Sequence, residues 1–568
     1  MLTLRFVALT LGLSAGLATS FYLPTGPTAR VKNGTLLGVH SKEYNQDFFL
    51  GVPYAQPPVG NLRYRLPASL NQSWSGIRLA TVSSSECYGY GSDQWNYPVS
   101  EDCLYLNIVR PSGYEKKSLP VAFWIHGGGF IEGGGVDQRY NTSFMVRNAV
   151  RIGKPIMTVN INYRLSAWGF LSGSEEVKDE GVLNLGLRDQ RLALHWVKEN
   201  IAAFGGDPNK VTIWGESAGA ASVGYHITAF NGRDDKLFRG AMMESGNPIN
   251  FGSLNDPLAN AAMYKELTQR TNCANQTTSP LQCLRDLPAA TLNTAINMTS
   301  PTVNLTGFMP VLDYDFIAKR TSIQLAHGDF VKVPIIDGAN SDEGSAFSPS
   351  PVDSTAAFEA YLEASQPGRM TPNLTAALLA AYPDDPAVNV LASLGDARPG
   401  PPFGAQFRRS ASYFGDAVFI APRRKTCETW AAAGLDAYCY RFNAVPAGLA
   451  AAMGVTHFQE VAWVFDNVLG VGYRPAAIPP FTNKTQSYRD LAHFMDASWV
   501  SFVSDLDPNA WRATYDWKGK EAWWPKYELH DPQNMVFDAN VSSFAEPDTF
   551  RAEGIKLIND NALNVYLR

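Results

Sequence analysis

Apolar and polar residues run along this chain in blocks, and the blocks change period. Leu119–Ile125 (LPVAFWI) is an unbroken apolar run, and residues 155–162 (PIMTVNIN) are nearly so. Runs of this length without alternation predict strands buried on both faces. Between residues 187 and 204 the spacing switches to that of a helix. Leu194, Val197, Ile201 and Phe204 fall three and four apart, so an amphipathic helix is expected there. Strand patterns return at residues 211–214 (VTIW), Gly240–Glu244 (GAMME), residues 333–337 (VPIID) and Ala437–Phe442 (AYCYRF). Strands alternating with helices predict an α/β fold around a large, mostly parallel sheet. Residues 250–330 and 350–430 lack this rhythm and carry proline clusters such as residues 398–402 (RPGPP). They read as helical and loop insertions capping the sheet.

The most informative segment is residues 204–219 (FGGDPNKVTIWGESAG). A short strand leads into Ser217, and AGAASVGYHI opens a helix directly after it. A serine between two glycines at a strand-to-helix turn is a nucleophile elbow, and Gly215 and Gly219 leave room for the sharp turn. The bare pattern is cheap: Ser14 sits in a second G-x-S-x-G at residues 12–16. What separates the two is the strand before Ser217.

A nucleophilic serine needs donors for the oxyanion, a base and an acid that orients the base. Residues 126–130 (HGGGF) follow the strand Leu119–Ile125. Their glycines let backbone N–H groups approach a developing negative charge. With the amide after the nucleophile, this nominates Gly128, Gly129 and Ala218 as an oxyanion hole. A phosphate loop would end in G-K-[ST], which is absent here. Among eight histidines, His457 stands in a loop (GVTHFQE, 454–460) downstream of the serine, as the chain order Ser, acid, His requires. The acid belongs to residues 340–344 (NSDEG), at the end of a predicted strand. Residue chemistry leaves Asp342 and Glu343 as alternatives.

Composition narrows the setting. The 568 residues carry a net charge of −6 and no basic run, which argues against a nucleic-acid partner. Arg5, an apolar stretch of about 13 residues and small residues at positions 18–20 read as a secretory signal over residues 1–20. That stretch is too short to span a bilayer, and no stable membrane anchor is expected. Residues 21–568 read as one domain, because the candidate catalytic residues span most of the chain and must meet. Nine N-x-S/T sequons, at Asn33, Asn71, Asn141, Asn275, Asn297, Asn304, Asn373, Asn483 and Asn540, fit a secreted glycoprotein. Six cysteines fall into three local pairs without metal-type spacing. Cys87/Cys103, Cys273/Cys283 and Cys427/Cys439 read as disulfides closing short loops.

With these residues in place, the chain resembles the type-B carboxylesterase family, which includes cholinesterases, fungal lipases and sterol esterases. Residues 204–219 match the family's nucleophile signature and residues 101–111 (EDCLYLNIVRP) its second signature. Residues 57–63 (PPVGNLR) and 184–190 (NLGLRDQ) look like further family blocks. The resemblance implies an α/β-hydrolase fold with a Ser217, His457, Glu343 triad. It also implies an acyl-enzyme intermediate and the hydrolysis of a small-molecule ester without metal or organic cofactor. Glu216, Glu460 and Ser245 resemble a polar cluster beside the family's active site. Arg63 with Glu101, and Arg164 with Asp189, look like internal ion pairs. Cys87–Cys103 and Cys273–Cys283 match family disulfides, whereas Cys427–Cys439 does not match the usual third pair.

The 15 residues between Cys87 and Cys103 are few for the long lid that lipases of the family carry there. This favours an esterase, with a triacylglycerol lipase or sterol esterase as the alternative. Trp95 in this loop resembles the cholinesterase aromatic that faces choline, though in a different register, and is expected to pack beneath the loop. Family members that have lost the nucleophile act in adhesion; this chain keeps all three triad residues.

Overall fold

A computed structural model describes residues 25–249, 252–276 and 279–568. The expected signal segment, with Ser14, lies outside the described residues. Eleven strands form the main sheet: β1 Val39–Ser41, β2 Gln46–Pro53, β3 Tyr105–Pro111, β4 Leu119–Ile125, β5 Met157–Ile161, β6 Gly206–Glu216, β7 Gly240–Glu244, β8 Ile335–Asn340, β9 Ala437–Phe442, β10 Gln533–Phe537 and β11 Phe544–Pro547. Their spatial order is β11-β10-β9-β8-β7-β6-β4-β5-β3-β2-β1. Seven neighbouring strands, β10 through β5, run parallel; β11 at one edge and β3, β2 and β1 at the other pair antiparallel. A smaller sheet joins Thr28–Val31, Gly34–Leu37 and Ile77–Leu79.

The unbroken apolar run of β4 follows from its position. Val121, Phe123 and Ile125 face one core, while Ala122 and Trp124 face another. Both faces of the strand are dry, so no position tolerates a polar side chain. Helices α1 Ser143–Arg151, α2 Leu185–Asn200, α3 Ala218–Gly232, α4 Ala421–Ala432 and α5 Gln486–Asp505 cover the two faces. Leu194 and Val197 of α2, Val223 and Ile227 of α3 and Trp430 of α4 join the core of Phe123. Met145 of α1 and Trp499 and Val500 of α5 join that of Trp124.

The predicted strands and the helix over 187–204 are all present, with shifted ends. Residues 350–430 need a correction. Helices Thr355–Ser365, Pro372–Ala381 and Phe407–Gly415 form a satellite core of their own, as an insertion would. Ala421–Ala432, however, packs directly on β8 and β9. Trp430 is fully buried there, and its indole N–H donates to Val333 O at 2.8 Å. This helix is the crossover between two parallel strands, not part of a cap.

All three cysteine pairs are bonded, and Cys427–Cys439 ties α4 to β9. Both expected ion pairs are buried. Arg63 grips Glu101 through Nη2 at 2.8 Å and also donates to the carbonyls of Leu284, Arg285 and Leu287. Arg164 makes a two-pronged pair with Asp189 at 2.7 and 2.8 Å, and its own amide donates to the same carboxylate. Removing one member of such a pair strands the other charge in a dry interior. Asp189→Ala is therefore expected to lower unfolding free energy by about 3–5 kcal/mol. A denaturant titration in which Asp189→Ala matches the parent within about 1 kcal/mol would contradict this.

Candidate active site

Ser217 is the single residue between β6 and α3. Its backbone sits at φ 53°, ψ −120°, a conformation that costs a non-glycine residue about 1–3 kcal/mol. Three local features hold it there. Its N–H donates to Glu244 O on the neighbouring strand at 2.8 Å, and its carbonyl accepts from Ala221 N at 2.9 Å to start the helix. Gly215 and Gly219 touch each other across the turn, and a β-carbon on Gly219 would run into the carbonyl of Ile125.

The loop after β4 closes over this elbow. Gly128 and Gly129 have φ of 88° and 61°, so the chain folds back through a left-handed turn. A β-carbon on Gly127 would lie 3.1 Å from Ser217 Cβ, which shows how closely the loop abuts the serine. The amides of Gly128, Gly129 and Ala218 donate to no protein acceptor among the described residues. His126 is not part of the exposed chemistry. It is fully buried and stacked on Tyr163 at 4.4 Å, with Nδ1 3.0 Å from Gly127 O. Burial pushes its pKa down to about 4, so it stays neutral.

His457 and Glu343 meet from different strands' ends. Glu343 Oε2 lies 2.7 Å from His457 Nδ1, while Oε1 accepts from Ser245 Oγ at 2.5 Å and from the Asn340 amide at 2.7 Å. Glu343 is fully buried, and the imidazole stacks on Phe419 at 4.6 Å and meets the edge of Phe347 at 5.0 Å. Of the two acids that residue chemistry left open, Glu343 touches the imidazole. Asp342 instead accepts from Val455 N at 2.7 Å. The other histidines lie elsewhere: His226 contacts Gln190, His493 Asp466, His40 Asp47 and His530 Glu528, while His195 on α2 and His327 are exposed.

Four buried carboxyls crowd this volume. Glu216 Oε1 is 3.3 Å from His457 Nε2 but accepts no hydrogen bond from it, so that nitrogen is left unclaimed by Glu216. Glu460 accepts from Asn340 Nδ2 at 2.5 Å and from Ser245 Oγ at 3.3 Å. Burial, then the charge of Glu343, pushes Glu460 up to about 7. Burial, reinforced by Glu460, Glu343 and Glu244, raises Glu216 well above the ordinary carboxyl range. Glu244 is the member that sequence reasoning missed. It ends the apolar strand β7, and its Oε1 accepts from the indoles of Trp214 and Trp499 at 2.5 and 2.6 Å. Burial raises its pKa as well. A lone acid closing GAMME was the available signal.

The rim of the site corrects one expectation. Trp95 is 76 % exposed rather than packed beneath its loop. The loop is too short to fold over a side chain, and Gln94 takes the buried place, bonding Glu86 and both polar groups of Gly133. Trp95 lines a cavity of about 810 Å³ with Tyr90, Met298, Asn304 and Thr306. Ser166 joins this wall to the glycine loop, donating to Thr306 O through its hydroxyl and to Phe130 O through its amide. Of the nine sequon asparagines, Asn33 and Asn141 are half-buried and the other seven exposed; Asn33 also spends its carboxamide on Leu70 O and Gln72 O.

The model of the carboxylesterase family matches residues 25–552. Lipase 4 of Diutina rugosa is 31% identical, over 95% of this chain and 97% of that protein. Secreted lipase 1 of Botryotinia fuckeliana is 33% identical, over 91% of this chain and 90% of that protein. The crystal structure of Aspergillus niger EstA superposes with a TM-score of 0.80 at 27% identity, covering 95% of this chain and 99% of that one. A strand-loop-helix elbow, an eleven-stranded α/β-hydrolase sheet and these likenesses lead to one assignment: the chain belongs to the carboxylesterase family and hydrolyses carboxylic esters.

Proposed function

We propose that this chain is a secreted carboxylic ester hydrolase in which Ser217 attacks, His457 carries the proton and Glu343 orients the imidazole. The observation that carries the reading is the 2.7 Å contact between His457 and Glu343, found in a chain that also holds Ser217 in a strained elbow. His457 Nε2 takes the proton of Ser217 Oγ as Oγ bonds to the ester carbonyl carbon. The carbonyl oxygen becomes an oxyanion and draws on the unclaimed amides of Gly128, Gly129 and Ala218. Collapse of this intermediate breaks the ester C–O bond, and His457 gives its proton to the departing alcohol. Water then attacks the acyl-enzyme with the same base, releasing the acid and restoring Ser217.

Glu216, Glu460 and Ser245 act as a dry polar scaffold behind the triad, with Ser245 donating to Glu343. One catalytic domain over residues 21–568, a cleaved leader and glycans on exposed sequons complete the proposal. Relatives named as secreted lipases support the extracellular assignment. No helix among the described residues is long and apolar enough to cross a membrane.

A lipase is the second reading, favoured by the names of the curated relatives. The loop between Cys87 and Cys103 supports the esterase reading. It is pinned by Tyr90 N to Ile131 O, by Asp93 N to Glu132 and by Arg139 to Asp93, which leaves no hinge for a swinging lid.

Three outcomes are expected. Ser217→Ala lowers hydrolysis of a soluble aryl ester by about 10⁶-fold; activity near that of the parent refutes the nucleophile. Soluble short-chain esters give the higher kcat/KM, with no jump in rate when substrate passes from monomers to emulsion; such a jump favours the lipase. The third concerns Glu460. Its carboxyl keeps a proton in the fold up to about pH 7, whereas the unfolded chain loses it above the ordinary 4.5. Stability from this group is thus lost as pH rises through that window. Glu460→Gln is expected to raise Tm by a few degrees at pH 8 and to change it little at pH 4.5, as scanning calorimetry will read.

A further inference from the structure

Asp342 immediately precedes Glu343 but does not cap the short helix that Glu343 begins; its side chain makes no bond to that turn. It reaches instead to the loop that carries His457. Its amide donates to Val455 O at 3.0 Å and its Oδ2 accepts from Val455 N at 2.7 Å, a two-point grip on one residue. The loop closes over the carboxylate at Gly454, whose φ is 59° and where a β-carbon would strike Asp342 Oδ2. Neighbours of the same turn hold the flanking residues. Ser345 Oγ lies 2.7 Å from Met453 O and from Thr456 Oγ1, and Asn340 Nδ2 donates to Thr456 O at 2.8 Å. Among these clamps only Asp342 can ionise.

We propose that Asp342 is a positioning residue of the reaction: its carboxylate latches residues 453–457 to the acid turn and so keeps His457 Nδ1 on Glu343. A charged acceptor makes a shorter and roughly twofold stronger bond to an amide than a neutral one, so the latch is firm when Asp342 is ionised and slack when it is not. A second cavity, of about 500 Å³, reaches Asp342 between Val390, Arg441, Phe550 and Arg551 and gives the buried carboxyl a route for protons. The charges facing it are Arg551, Arg441 and Arg408, of which Arg551 is paired with Asp416 and Arg441 with Glu546. Burial pushes Asp342 up to about 6 against the opposing pull of the Val455 amide and these cations. The latch therefore loosens in mild acid.

This inference rests on His457 being the base, and the experiment separates the two. His457→Ala, Asp342→Ala and Asp342→Asn are compared with the parent for kcat, KM, Tm and the pH dependence of kcat on a soluble ester. His457→Ala is expected to be inactive; if it is not, the base assignment itself fails. With His457→Ala inactive, Asp342→Ala is expected to lose about ten- to a hundredfold in kcat at pH 8, with KM unchanged. Asp342→Asn is expected to regain part of that loss, because a neutral amide oxygen still accepts from Val455 but less strongly than a carboxylate does. On the acid side, log kcat of the parent falls more steeply through the range where Asp342 gains its proton than that of Asp342→Asn, which has no carboxyl to protonate there. Full kcat in Asp342→Ala overturns the latch. Equal slopes in the parent and Asp342→Asn do the same, as does a loss that follows Tm and is not rescued by asparagine.

Discussion

Everything in this site is referred to the backbone of Ser217. A residue held at positive φ without glycine's freedom needs outside support, and here the support comes from three strands at once. Glu244 O on β7 takes the serine amide, the carbonyl of Ile125 on β4 presses against Gly219, and β6 itself delivers the chain. Because β4 also launches the glycine loop, the proposed oxyanion donors and the proposed nucleophile share one rigid origin. Their separation is fixed by strand spacing, not by loop chemistry. A catalytic constellation built this way needs little reorganisation when charge develops.

The second constraint is electrostatic. Four carboxyls share a dry volume that tolerates little negative charge. Glu343 is supplied with three donors: Ser245 Oγ, the Asn340 amide and the His457 ring. Glu244 has two indoles, and Glu216 lacks a donor on Oε1. Hydrogen bonds stabilise the charged form, so the distribution of donors decides where charge resides. The acids whose pKa values are raised serve as neutral hydrogen-bonding groups. In the proposed reaction they surround the imidazolium without competing for it at full strength.

The sequence disclosed the central sheet well, because β4, β5, β7 and β9 are buried on both faces and their composition admits no other reading. It disclosed the edges poorly. Val39–Ser41 and Phe544–Pro547 are short and partly exposed, and Gln46–Pro53 is interrupted by a bulge, so periodicity carries little signal there. The crossover helix Ala421–Ala432 was hidden for another reason: four of its residues (PRRK) are polar or helix-breaking, although Arg423 and Arg424 are buried on Asp548. Ser217 and the glycine loop were legible because they need unusual backbone. Glu343 was not separable from Asp342 by chemistry, since two adjacent acids differ only in which way the turn points them.

That same adjacency explains the architecture of the His loop. A histidine proposed as the base risks motion on a loop, and no strand or helix constrains residues 454–460 up to the imidazole. The acid turn supplies the missing rigidity. Four residues of it act on the loop and its preceding residue: Asn340 on Thr456, Asp342 on Val455, Glu343 on His457 and Ser345 on Met453. Acid and base thus move as one body, although they are 114 residues apart in the chain. The geometry that matters most to proton transfer is set by a turn of six residues at the end of β8. The cavity beside Trp95 and Met298 is a different surface, whose residues make none of these bonds. Substitutions at that cavity therefore leave the hydrogen bonds between the acid turn and the His457 loop untouched.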